Sequence, residues 1–139
     1  DEEGTATLHR YRDINRGKHS LLPFDGAVGQ VEVGQTRLDA YLEAAGLSSA
    51  PIWLLKIDAE GLEPAVLHGA RASLERVEAM VMEYSPVFYT GDEGREAIAV
   101  LGAAGLAPAL WDGDAWRPVS LDKLGALEGQ CDTVWSRPI

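Results

Sequence analysis

Positive charge is scarce in this 139-residue chain: 12 Lys and Arg stand against 22 Asp and Glu, a formal net charge of −10. A field of that sign repels nucleic acid, and no local Lys/Arg cluster offsets it. Cysteine is nearly missing. Cys131 is the single copy, so no internal disulfide framework can form, and a reducing, cytoplasmic setting is expected. Such a residue reads first as a small buried apolar side chain. No unbroken apolar run reaches the roughly 20 residues of a membrane-spanning helix, so no membrane span is expected. No basic segment leading into an apolar stretch opens the chain, and no secretory leader is expected in it. Repeats, low-complexity tracts, His pairs at metal-ligand spacing and a glycine-rich phosphate loop are missing too. What remains is an ordinary globular composition, 46% hydrophobic, over residues 1–139, read as a single domain.

The order of elements points to an α/β fold. Thr5 to Tyr11 mixes β-branched and aromatic residues in rough alternation and reads as a strand; Gln30 to Val33 reads as a second. Between them, residues 12 to 29 carry Asn15, Gly17, Pro23, Gly26 and Gly29, the makings of a long loop. Thr36 is placed to cap a helix running to Gly46, with Leu38, Tyr41, Leu42 and Ala45 on one face. Ile52 to Asp58 is an almost continuous apolar run that ends in an acid, the pattern of a parallel strand covered on both faces. Gly61 then supplies a turn, Pro64 suits a first helical turn, and Gly69 bends or breaks the helix. Ala79 to Tyr84 repeats the apolar-then-acid pattern with Glu83. Asp92 to Gly105 is an amphipathic helix with an acidic start and a glycine stop. Leu106 to Trp111, Ala115 to Val119 and Thr133 to Trp135 read as short strands, and Ser120 as the cap of a brief helix. This alternation predicts a mostly parallel sheet with right-handed crossovers and an antiparallel C-terminal edge.

Ligands of open α/β sheets bind beyond the carboxyl ends of the strands. Both apolar strands carry an acid there, Asp58 and Glu83. If the strands are neighbours, the two ends lie about 5 Å apart. Two carboxylates so placed can anchor an ammonium group, serve as acid and base, or bind a divalent cation. They can also be solvated caps of the segments that follow, since acids favour helix N-termini. Asp58, Glu60 and Glu63 crowd one strand mouth, which packing alone does not require. Lys56 lies two residues before Asp58 on the same strand face and can pair with it.

The segment LLKIDAEGLEPAVLHGARASL, residues 54–74, resembles the signature of FkbM-family methyltransferases, in which K-I-D is followed by x-E-G-x-E and a helix with L-x-G-A. TRLDAYL ahead of it, VMEYSP after it, and the N-terminal stretches DEEGTATL and NRGKHSLLP are similar to the family's flanking segments. The resemblance runs from residue 1 to about residue 90. It implies a Rossmann-like class I methyltransferase fold that uses S-adenosylmethionine (SAM) to methylate a hydroxyl of a sugar, glycolipid or polyketide-like metabolite. Carried over by position, it implies Asp58 and Glu60 at the methyl-transfer centre and against the cofactor, with Glu83 beside them. It further implies Glu63, His19 and Ser20 on the acceptor side, with no metal. The family's glycine-rich SAM cradle has no counterpart in this stretch, so the chain is expected to be the C-terminal part of such a domain.

Two other readings stay open at this point. One is a methyltransferase-like half-sheet that binds or scaffolds without catalysis. The other is a Mg²⁺-dependent hydrolase built on Asp58, Glu60 and Glu83. His9 and His68, in a strand and a helix, are read as structural. Trp111, Trp116 and Trp135 are assigned to core or edge packing.

Overall fold

The computed structural model describes residues 3–11 and 19–138. Two antiparallel strands come first, β1 (Gly4–Arg10) and β2 (Gly29–Gln35), paired from Gly4 opposite Gln35 to Arg10 opposite Gly29. The long loop between them is tied back where it is described. His9 and Ser20 exchange backbone hydrogen bonds of 2.8 and 3.2 Å, and Val28 N–H donates to the Arg10 carbonyl at 2.8 Å. Residues 12–18 of that loop lie outside the described residues.

Helix α1 (Leu38–Ala44) follows, then β3 (Ile52–Ile57), the short helices α2 (Glu63–His68) and α3 (Arg71–Leu74), and β4 (Val77–Tyr84). The 3-10 turn Pro86–Phe88 leads to α4 (Glu93–Ala103), β5 (Ala107–Trp111), β6 (Trp116–Pro118), α5 (Leu121–Gly125) and β7 (Cys131–Ser136). The glycines act where expected: α2 ends at Gly69, and Gly105 turns the chain after α4 with φ +80°. Ser120 caps α5, its Oγ accepting from Lys123 N–H. Thr36 does not cap α1. Arg37 stands at that helix start, with no side-chain cap of its own.

The larger sheet has the order β3-β4-β7-β5-β6. It is mixed, and less parallel than its sequence suggests. Only β3 and β4 run parallel; β4–β7, β7–β5 and β5–β6 are antiparallel. The last strand does not close an edge but enters between β4 and β5, a long-range pairing that no local pattern encodes. Met80, Met82, Thr133 and Trp135 are buried on one face, together with Leu67 of α2, Leu101 of α4 and Leu124 of α5. Thr133 Oγ1 donates to the Met82 carbonyl at 2.7 Å and accepts from Trp135 Nε1 at 2.9 Å, so the polar atoms under the indole are satisfied. Trp111 and Trp116 instead form an exposed edge-to-face pair, centroids 5.5 Å apart, on the β5–β6 hairpin.

The reading of β3 as covered on both faces is corrected. β3 is an edge strand, with Trp53 75% and Leu54 62% exposed. An apolar run reports what a strand is suited to meet, while burial also needs an element laid over it; none of the described residues covers these two.

Candidate active site

β3 and β4 are parallel neighbours in the register Ile57 opposite Met82, so Asp58, the next residue, comes level with Glu83. The two acids therefore end adjacent strands, on one sheet face. A third acid joins them from the far end of the sequence. β7 runs the other way, and its Asp132 is paired with Glu83. Lys56, two residues before Asp58, places Nζ 2.5 Å from Asp58 Oδ2. Both side chains are open to water, 64% and 47% exposed. The hydrogen bond to Asp58 holds the Lys56 ammonium above its usual range, and the charges of Asp58, Asp132 and Glu83 act in the same sense. The mouth of the sheet is thus a row of three carboxylates partly balanced by one ammonium. Glu83 Oε2 accepts from Ser85 Oγ at 3.4 Å.

Behind this row lies a tight turn. Glu60 has φ +51°, the only non-glycine residue with positive φ among those described, and Gly61 follows with φ +97°. Positive φ at a residue with a Cβ costs free energy and persists only where the surroundings enforce it. Glu63 supplies the enforcement. Its side chain is fully buried; Oε1 accepts from Ala59 N–H at 3.0 Å and Gly61 N–H at 3.2 Å, and Oε2 accepts from Tyr89 Oη at 3.0 Å. Tyr89 in turn accepts from Ser85 N–H at 3.0 Å, which links the turn after β3 to the segment after β4. Burial drives the Tyr89 phenol far above its ordinary value of 10.0, and the Glu63 charge adds to this, so the phenol keeps its proton and remains a donor.

Gly61 is where three segments meet. A Cβ built there would lie 2.7 Å from Phe88 Cβ and 3.2 Å from Leu22 Cδ1. The loop that carries His19 and Ser20 therefore reaches the turn, although through Leu22. Ser20 itself is buried, with its Oγ accepting from Leu22 N–H at 3.0 Å, and His19 Nδ1 accepts from Tyr11 N–H at 3.0 Å. Asp58, Glu60 and Glu83 are thus brought to one strand mouth. Glu63 sits beneath it with its carboxylate occupied by the protein, and the loop of His19 and Ser20 reaches the turn after β3 through Leu22.

Asp39 has a related bracing role. From α1 its Oδ1 accepts from Ser73 N–H at 2.8 Å and Ser73 Oγ at 2.5 Å, and its Oδ2 from Ala72 N–H at 3.0 Å. It thereby caps the start of α3 from a separate helix.

A family model described as the methyltransferase FkbM domain matches residues 1–107. The chain belongs to the FkbM methyltransferase family. No curated protein and no solved structure matches it. In this FkbM domain the matched stretch contains Asp58, Glu60, Glu63 and Glu83 but ends before Asp132, which reaches the same mouth only through the β4–β7 pairing. Among the described residues no group of three or more His, Cys, Asp or Glu side chains is arranged to hold a metal ion, and no helix is long and apolar enough to cross a membrane.

Proposed function

We propose that this FkbM domain is a SAM-dependent O-methyltransferase with a Rossmann-like sheet, and that it acts on a hydroxyl of a sugar, glycolipid or polyketide-like metabolite. The observation that carries the reading is that Asp58 follows Ile57, the partner of Met82, and so stands level with Glu83 at the carboxyl ends of the parallel β3–β4 pair, the place where open α/β sheets bind ligands.

SAM, when bound, supplies an electrophilic methyl group on a positively charged sulfonium. The carboxylates of Asp58, Glu60 and Glu83 are the donor set this stretch offers to such a cation, and their sign suits it. This chain's residues then have three tasks. Lys56 occupies Asp58 Oδ2, which leaves Oδ1 as the oxygen to receive the proton of an acceptor hydroxyl. Glu83, level with Asp58, orients the acceptor from the neighbouring strand. Glu63 touches neither reactant in this scheme. It is a positioning residue that fixes Ala59 and Gly61 and so the direction in which Asp58 and Glu60 project. His19 and Ser20 lie on the loop that packs against Gly61 through Leu22, on the acceptor side of the turn.

The test, run on the full-length enzyme with its SAM-binding strands, is transfer of isotope-labelled methyl from SAM to a panel of sugar, glycolipid and polyketide hydroxyl acceptors. Label recovered as a methyl ether, and lost in Asp58→Asn, is the expected result. Label recovered on nitrogen or carbon, or transfer indifferent to Asp58→Asn, would overturn the assignment.

A further inference from the structure

Away from the acidic row, a second concavity lies between the β1–β2 pair and helices α1 and α2. Its volume is about 700 Å³, within the range of small-molecule pockets. Leu21, Val33, Leu38, Leu62 and Val66 line it, so its body is apolar. It borders the catalytic turn at Leu62 but includes none of Asp58, Glu60, Glu83 or Asp132. Its charge is unlike that of the rest of the molecule. The chain carries 22 acids against 12 basic residues, yet among the described residues lining this cavity none is an Asp or Glu.

The charged group that does line it is Arg37. The stem of that side chain is seated: its Cβ and Cγ lie 3.4 Å from the position a Cβ on Gly69 would take. The guanidinium makes no hydrogen bond or ion pair among the described residues, and its charge bears on Asp39, whose carboxylate is already taken up by Ala72 and Ser73. Arg37, with its five N–H donors, thus lines an apolar cavity to which none of the described residues adds a carboxylate.

We propose that this cavity binds a small amphipathic anion, with the apolar body held between the β1–β2 pair and α2 and a carboxylate or phosphate head on Arg37. An apolar chain gains from burial against Val33, Leu38 and Val66. The anionic head gains a charge-assisted, potentially bidentate partner in a molecule whose net charge elsewhere repels it. A cationic amphiphile meets the opposite balance, with Arg37 in the lining and no acid beside it among the described lining residues. The inference stands without the methyl-transfer reading, because it concerns binding alone and shares no acidic residue with that site.

Amide chemical-shift titrations of the protein with octanoate, octyl phosphate, octanol and octyltrimethylammonium test it. The expected result is saturable shifts at Thr7, Gly34, Arg37 and Val66, with the anions binding about tenfold more tightly than octanol and the cation weakest. Comparison of octanoate with octyl phosphate separates the two head groups. Arg37→Gln, an exposed position, should remove that tenfold preference and leave octanol unchanged. Val66→Trp, which fills the cavity, should abolish binding of all four in a variant that keeps the wild-type amide dispersion. Leu54→Ser, on the exposed edge strand, should alter none of it. Equal affinity for anion and cation would overturn the proposal. So would shifts confined to β3 and β4, an Arg37→Gln variant that binds octanoate as before, or no saturable shift at the cavity amides.

Discussion

Asp58 and Glu63 are five residues apart, carry the same functional group and have opposite fates. Asp58 is half exposed, holds one ion pair with an exposed lysine, and stands level with a second carboxylate. Glu63 is fully buried and accepts from two backbone amides and a phenol. A buried carboxylate is tolerated only when its lone pairs are filled, and filled lone pairs leave nothing for a substrate. An exposed one keeps an oxygen for chemistry but contributes little to stability. In a cluster of acids, the partners of each oxygen separate the brace from the reagent better than the sequence spacing does.

The contrast predicts which property each substitution alters. Glu63→Ala should have the largest effect on folding. It strips the acceptor from Ala59 N–H, Gly61 N–H and Tyr89 Oη together, and a loss of about 3 kcal/mol or more in chemical denaturation is expected. Asp58→Asn should do the reverse, lowering methyl transfer about a hundredfold while the melting temperature stays close to wild type. Normal turnover in Asp58→Asn would remove it from the catalytic set.

Gly61→Ala comes next. It places a Cβ at φ +97° and 2.7 Å from Phe88 Cβ, so a loss of about 2 kcal/mol is expected, with activity falling as the turn shifts. The smallest effect concerns pH. Burial pushes the Asp39 carboxyl upward, but the hydrogen bonds from Ser73 and Ala72 and the charge of Arg37 outweigh it and hold it below the ordinary 3.8. A lowered value in the folded state means that its stabilisation is complete above the unfolded value and is lost as pH falls through the folded one. Asp39→Asn should therefore melt lower than wild type at neutral pH and lose less stability on acidification below about pH 4.

The sequence carried the local features well. The apolar-then-acid runs become β3 and β4, Ser120 does cap α5, and the glycine stops fall at Gly69 and Gly105. Adjacency of Asp58 and Glu83 needed only the assumption of neighbouring strands, which the parallel β3–β4 pair supplies. Non-local features were not legible. β7 enters the sheet beside β4, so Asp132 comes level with Glu83 from 49 positions along the chain. Tyr89 reaches Glu63 only because the segment after β4 folds over the turn after β3. An acid at the first residue of a helix reads from sequence as a solvated cap, so nothing local announced that Glu63 is buried. Asp39, within the TRLDAYL segment, was likewise visible as a motif residue while its partner, the start of α3, was not.

The central claim is that Asp58 and Glu83 work as one site. A double-mutant cycle of wild type, Asp58→Asn, Glu83→Gln and the double variant, read as acceptor affinity beside thermal melts of the same four proteins, tests it most directly. Side chains that share one ligand couple, and a coupling of about 0.5–3 kcal/mol in acceptor affinity is predicted, with little change in melting temperature for either single variant. Additive effects on affinity, with a clear loss of stability in Glu83→Gln alone, would contradict the account and make Glu83 part of the scaffold.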